Sequence, residues 1–196
     1  MKSTPLRLAI HYHIEIEVDG NDLYCPGYYG VWIDSLSKYF EKIILIAHTS
    51  SVKSTYKIKS KNIEVIDLGV KPSHVFKRIF KFRSFQKIVL KNSHKFDCYG
   101  ARIPTPLGAY LAYTVRNKPI FFLVVGNLWK LTMLSNMVSW KKYLLSLYWY
   151  LDGLFLSFLS RKAIVFANSD SYKNDYPLVK NIITVPTSTI MASDIL

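Results

Sequence analysis

Acidic residues are scarce in this chain: 13 against 26 lysines and arginines, a formal net charge of +13. The imbalance favours an anionic partner, which leaves open a phospholipid surface, a nucleotide-linked substrate or nucleic acid. Cysteine is scarcer still. Cys25 and Cys98 have no metal-like spacing, so two reduced thiols in a cytosolic protein is the simpler reading, with a single disulfide left open. His11, His13, His48, His74 and His94 form no spaced cluster and read as structural or surface residues. No metal site is expected. There is no G-x-G-x-x-G and no G-x-x-x-x-G-K-[ST], so neither a dinucleotide fingerprint nor a P-loop is claimed. Helix-turn-helix, RNP and zinc-finger patterns are missing as well, and no nucleic-acid partner is expected. Met1-Lys2-Ser3 runs straight into a strand pattern without an apolar signal core, so a cytoplasmic protein is expected. With no repeat, low-complexity tract or domain boundary, residues 1–196 read as one domain.

Half of the residues are hydrophobic, including 14 Tyr and 11 Phe, enough for a packed core. Strand and helix patterns alternate along the chain. That predicts an α/β, Rossmann-like three-layer domain with a mostly parallel sheet and helices on both faces. The first unit sets the scheme. Leu6–Ile16 reads as a strand, Asp19–Gly30 as a polar loop, Val31–Phe40 as a short helix, and Ile43–Ala47 as a buried strand. Trp32, Leu36, Tyr39 and Phe40 share the expected inner face of that helix, leaving Asp34, Ser35, Lys38 and Glu41 largely to water. Gly27-Tyr28-Tyr29-Gly30 falls after a strand and at a helix start, where α/β proteins bind phosphorylated or sugar-like ligands. An open backbone approach at Gly30 is the expected reason for its glycine. The competing reading is that Gly27 and Gly30 only turn the chain.

Ile63–Leu68 alternates as a strand. Lys71–Lys95 then carries Lys77, Arg78, Lys81, Arg83 and Lys87 among its bases and no acid. Val75, Phe76, Ile79, Phe80, Phe85, Ile88 and Val89 make its apolar stripe, so a basic amphipathic helix is predicted, broken near Ser84 if at all. Such a helix lies on anionic lipid, meets nucleic-acid phosphates, or packs on the sheet with a solvated basic face. Phe96–Ile103 is a further strand, with Pro106 in the first turn of the next helix. Ile120–Val125 is the most buried-looking strand. After it, Asn127 is placed to bond a sugar hydroxyl, Trp129 to stack on a sugar ring and Lys130 to face a phosphate; an ordinary turn is the alternative. The apolar run Tyr143–Leu159 is near the length of a membrane span, but Asp152 and Gly153 in its middle argue for a helix that is buried or touches a monolayer. Ser146, Gly153, Ser157 and Ser160 share a narrow face with Lys142, the expected watered edge. Ala163–Ala167 and Asn181–Pro186 are predicted strands around a short helix capped in Asn168–Ser171.

Taken in order, the Gly loop and following strand (Gly27 to Ala47), "FDCYGARIP" (Phe96 to Pro104), "KPIFFLVVGN" (Lys118 to Asn127) and "AIVFANSDSYKNDYPLVKNIITVPTSTI" (Ala163 to Ile190) resemble the N-terminal domain of a GT-B glycosyltransferase, group 1, family 4-like. The resemblance implies the acceptor half of a retaining, metal-independent transferase without a bound cofactor. Its co-substrate is a nucleotide-sugar, held mainly by a C-terminal domain with paired glutamates. It matches Gly27, Tyr28, Tyr29 and Gly30 to the donor-phosphate loop. It points to Arg102, Gly126, Asn127, Trp129, Lys130, Ser169 and Asp170 as acceptor or transfer-site candidates. Many relatives carry His at or beside Gly126 and this chain does not, so no catalytic base is carried over. The donor domain is expected beyond Leu196 or on a separate subunit, so the chain alone is not expected to complete transfer. A lipid-linked or polysaccharide acceptor, with peripheral attachment to the inner membrane face through Lys77, Arg78, Lys81, Arg83 and Lys87, accounts for the charge. A non-catalytic membrane-associated scaffold that recruits a catalytic partner is the second reading. A small nucleotide-binding module is the third.

Overall fold

The computed structural model describes residues 6–51, 54–136, 139–179 and 182–185. Its first half runs β1 (Arg7–Asp19), β2 (Asp22–Cys25), α1 (Gly27–Ser37), β3 (Lys42–Ser50), β4 (Tyr56–Lys57), β5 (Ile63–Asp67), α2 (Val75–Phe80) and α3 (Phe82–Lys91). The second half runs β6 (Cys98–Ile103), α4 (Gly108–Thr114), β7 (Ile120–Val124), α5 (Leu128–Leu134), α6 (Ser139–Leu159), β8 (Ile164–Ala167), α7 (Ser171–Asp175) and β9 (Ile182–Thr184). Pro186 and the rest of the family-like stretch to Ile190 lie outside the described residues, as do the side chains of Val75 and Phe76.

The fold is α/β with a mostly parallel sheet. Strands lie in the order β5, β3, β1, β6, β7, β8, β9, all parallel, while β2 and β4 join as an antiparallel extension beside β1. Leu8, Ile10, Ile43 and Leu45 point to one face, where Tyr29 and Ile33 of α1 cover them. Ala9, Ile44, Ile46, Phe122 and Val124 point to the other, under Phe85 and Val89 of α3, Leu111 and Ala112 of α4 and Leu156 of α6. Uniformly apolar strands are what a sheet covered on both faces requires.

β1 changes partners half-way. Arg7–His11 is flanked by β3 and β6, the pairing with β3 slips between His11 and Glu15, and Glu17–Asp19 then pairs with β2. The predicted loop from Asp19 to Gly30 is therefore a hairpin turned at Gly20, whose φ of 58° suits glycine, followed by β2 and the first turn of α1. The helix begins at Gly27, not after Gly30.

Four further expectations are corrected. Asp34 is buried: its carboxylate accepts from Tyr56 Oη at 2.8 Å and from the amides of Lys59 and Ser60, pinning α1 to the segment after β4. Tyr39, expected inside, is exposed beyond the end of α1. The basic segment breaks at Lys81 and not at Ser84, giving two helices. Pro106 precedes α4, which opens at Gly108 after Leu107 in the left-handed region at φ 66°; the Leu107 amide donates to Tyr148 Oη at 3.2 Å.

The largest inversion is in α6. Ser146 and Asp152 are buried, whereas Trp140, Tyr143, Leu144, Leu147 and Leu151 face outward. Ser157 Oγ donates to the Gly153 carbonyl at 2.8 Å and Ser160 Oγ to the Ser157 carbonyl at 2.6 Å. Small residues allow the helix to approach its neighbours closely, and hydroxyls bonded to their own helix need no water. No helix among the described residues is long and apolar enough to cross a membrane.

Candidate functional site

In this strand order the chain moves outward from β1 to β3 and β5, then crosses back to β6 on the other side. The crevice between the carboxyl ends of β1 and β6 is thus the topological switch point, the usual ligand position of an open α/β sheet. The irregularity in β1 falls there and re-aims His13. His13 Nδ1 lies 3.3 Å from Oγ1 of the buried Thr105, linking the two strands.

Three cationic groups converge on this place, from β6, from α2 and from the connection between β5 and α2. Arg102 of β6 carries its guanidinium 4.7 Å from the Tyr12 ring centroid and 5.9 Å from that of Tyr28, and its Nε is buried without a partner among the described residues. Arg78 of α2 turns inward, its Nε donating to the Pro72 carbonyl at 3.4 Å. Lys71 stands across the groove, 3.9 Å from Glu15. Neither arginine is paired with a carboxylate among the described residues. A groove of about 250 Å³ at the mouth is lined by His13, Glu15, Pro26, Ser50, Ser54 and Lys71, among others. Pro26, in the groove lining, leads into α1, which has no side-chain N-cap; the amides of Tyr29 and Gly30 are taken by the Pro26 carbonyl.

The histidines underneath are held neutral. His11 Nδ1–H donates to the Ile46 carbonyl and His48 Nδ1–H to the Gly69 carbonyl, both at 2.8 Å. A carbonyl only accepts, which fixes the tautomer of each ring. Burial pushes His11 down to about 4, its bond to Ile46 notwithstanding. His13 is also pushed down to about 4, first by burial and then by Lys71, Arg78 and Arg102. Fixed positive charge with neutral hydrogen-bonding rings suits an anion such as phosphate. No group of residues able to hold a metal ion occurs among the described ones.

The structure brings Tyr28 and Arg102 together at the crevice and places the other candidates away from it. Tyr29 is a core residue. Gly30 does not offer an open backbone: a Cβ there would overlap the Tyr56 ring and reach 3.0 Å from Cys25 Sγ. Gly27 has open space around its Cα at the start of α1. Asn127 caps α5, its Oδ1 accepting from the Lys130 amide at 3.2 Å, and Lys130 pairs with Asp175. Gly126 contributes its carbonyl to Tyr176 Oη at 3.1 Å. Trp129 is part-exposed and, with Asn127, lines a separate cavity. Ser169 bonds Ser171, and the Asp170 carboxylate accepts from Lys173 and Thr184. Lys77, Lys81, Arg83 and Lys87 are exposed on α2 and α3, whereas Arg78 belongs to the crevice. Tyr12 and Thr105 escaped the sequence reading and His13 was read there as structural or surface, because only the strand order makes β1 and β6 neighbours.

No protein-family model and no curated protein matches the chain. Among solved structures, the C-terminal domain of the coenzyme A biosynthesis bifunctional protein CoaBC is similar at a TM-score of 0.35 and 8% identity. The match covers 62% of this chain and 64% of that one, a level of likeness that carries no argument about function.

Proposed function

We propose that this chain is the acceptor-side domain of a glycosyltransferase that moves a sugar from a nucleotide-sugar to a glycan or lipid-linked acceptor. In this reading the switch-point crevice holds a phosphate of the substrate. The observation that carries the anion site is the meeting of Arg102, Arg78 and Lys71 beside the start of α1. The sugar-transfer part rests on the ordered sequence resemblance. Arg102 is the acceptor candidate this reading keeps, with Tyr28 as its ring support. Without a donor domain, supplied in the same chain or by a separate subunit, no transfer is expected.

Calorimetric titration with pyrophosphate tests the anion site. Arg102→Gln, which removes the charge and keeps a polar side chain, is expected to weaken binding by about tenfold or more, the range of one charge-assisted contact. Equal affinities for the parent and the variant would remove Arg102 from the site. Transfer regained on adding a donor domain supports the enzyme reading over the scaffold.

Peripheral attachment to an anionic membrane is part of the same proposal. Ile79, Phe80 and Leu90 are exposed among Lys77, Lys81, Arg83 and Lys87, and the outward apolar face of α6 lies on the same side of the sheet. Replacing those four bases by Glu is expected to abolish most co-sedimentation with phosphatidylglycerol vesicles at low salt, each base contributing about 1 kcal/mol. Unchanged co-sedimentation rejects the membrane part. Vesicle binding with no transfer, whatever partner is added, favours the non-catalytic scaffold.

A further inference from the structure

Beyond β7 and β8, on the other side of the Pro104–Thr105 turn from the crevice, lies a cavity of about 310 Å³. Trp129, Trp149, Tyr150 and Tyr176 contribute its aromatic walls, and Asp152 and Asp175 are its ionisable acids. Among the described residues no lysine, arginine or histidine lines it, in a chain with 26 lysines and arginines. Asp175 already pairs with Lys130 at the rim. Asp152 has no such neighbour: it is 3% exposed and its Oδ1 has no hydrogen-bond partner among the described residues. Of the tyrosines around it, Tyr176 Oη donates to the Gly126 carbonyl and Tyr148 Oη accepts from the Leu107 amide. A buried carboxyl oxygen left unbonded costs about 1–3 kcal/mol, and a native structure retains it where something else supplies the bond.

We propose that this cavity is a second binding site, for a small organic ammonium ion whose charged end meets Asp152 and whose apolar body lies against Trp149, Tyr150 and Tyr176. The carboxylate supplies charge, the ring faces attract a cation, and the absence of a competing base leaves the position to the ligand. The volume is at the small end for ligand pockets, which limits the occupant to about the size of an arylalkylamine. This site goes beyond the anion crevice and does not depend on the sugar-transfer reading.

The test is titration of the full chain with tyramine and with 4-ethylphenol, the same body without the ammonium, near pH 8. Quenching of tryptophan fluorescence and calorimetry are the readouts. Tyramine is expected to bind at least about tenfold more tightly than 4-ethylphenol. Asp152→Asn, with thermal melting confirming that it folds, is expected to lose that preference while still admitting 4-ethylphenol. Arg102→Gln is expected to leave tyramine affinity unchanged, so failure of one site is distinguishable from failure of the other. Equal affinities for the two probes, no tyramine binding, or a preference that survives in Asp152→Asn would each overturn the proposal. So would tighter binding of glucose than of tyramine, which would make the cavity a neutral-sugar site.

Discussion

Gly30→Val is expected to unfold the protein at ambient temperature or to lower its stability by more than about 3 kcal/mol. The α-carbon of Gly30 lies against the Tyr56 ring and Cys25 Sγ, so a Cβ there overlaps the ring and crowds the sulfur at 3.0 Å. Overpacking of this kind costs about 1–3 kcal/mol even where neighbours can move. Tyr56 moves only by giving up its 2.8 Å bond to Asp34, which also holds the amides of Lys59 and Ser60. The damage therefore spreads from one methyl group to the junction between α1 and the segment after β4. Gly30→Ala is expected to show a smaller loss, recovered in part by Tyr56→Ala in the same chain. Urea unfolding of the single and double variants measures this. Additive losses, or a Gly30→Val variant as stable as the parent, would mean that the ring is not the obstacle.

The second large effect is a change in acid stability on Asp152→Asn. His11 and His13 have folded pKa values near 4 against 6.5 unfolded, so between these limits the unfolded chain binds more protons. Their stabilisation is complete above 6.5 and is lost as pH falls through 4. It amounts to about 3 kcal/mol for His11 and less for the half-buried His13. Asp152 runs the other way. Burial pushes its carboxyl up to about 7 from 3.8, so its contribution is present below 3.8 and lost as pH rises through 7. In the parent the two trends partly cancel over the shared window. Removing the carboxyl exposes the histidine trend, and the stability difference between variant and parent is expected to grow by about 3–4 kcal/mol from pH 4 to pH 8. Parallel pH profiles for the two proteins would show that Asp152 is not neutralised by burial.

Much of the architecture was legible because it depends on periodicity. Ile43–Ala47 and Ile120–Val124 are uniformly apolar, and a strand covered on both faces permits little else. The alternation of such strands with helical stretches led to a mostly parallel α/β sheet. What failed depends on contacts distant in sequence. Asp34 sits on a helix face like any solvated acid until the amides of Lys59 and Ser60 are brought to it. The serine stripe of α6 has the polarity of a surface, yet the Ser157 and Ser160 hydroxyls bond carbonyls of their own helix and Ser146 is buried, while Leu144 and Leu147 face out.

The candidate sites divide along the same line. Charge, the Gly27–Gly30 stretch and the turn after β7 pointed to the carboxyl ends of the strands, and the structure brings the Arg102 guanidinium to 5.9 Å from the Tyr28 ring centroid there. His13 and Thr105 are 92 positions apart and carry no local signal. Asp152 registered only as an obstacle to a membrane span. By itself the sequence determined fold class, net charge and the alternation of the core strands with helices, though not β2, β4 or α5, since these follow from composition and from local repeats of two or three to four residues. Which residues meet at the switch point, and which carboxyl is left unbonded in an aromatic cavity, was decided by the tertiary structure. Both depend on strand order and helix rotation, and those are set by the summed packing of the whole chain.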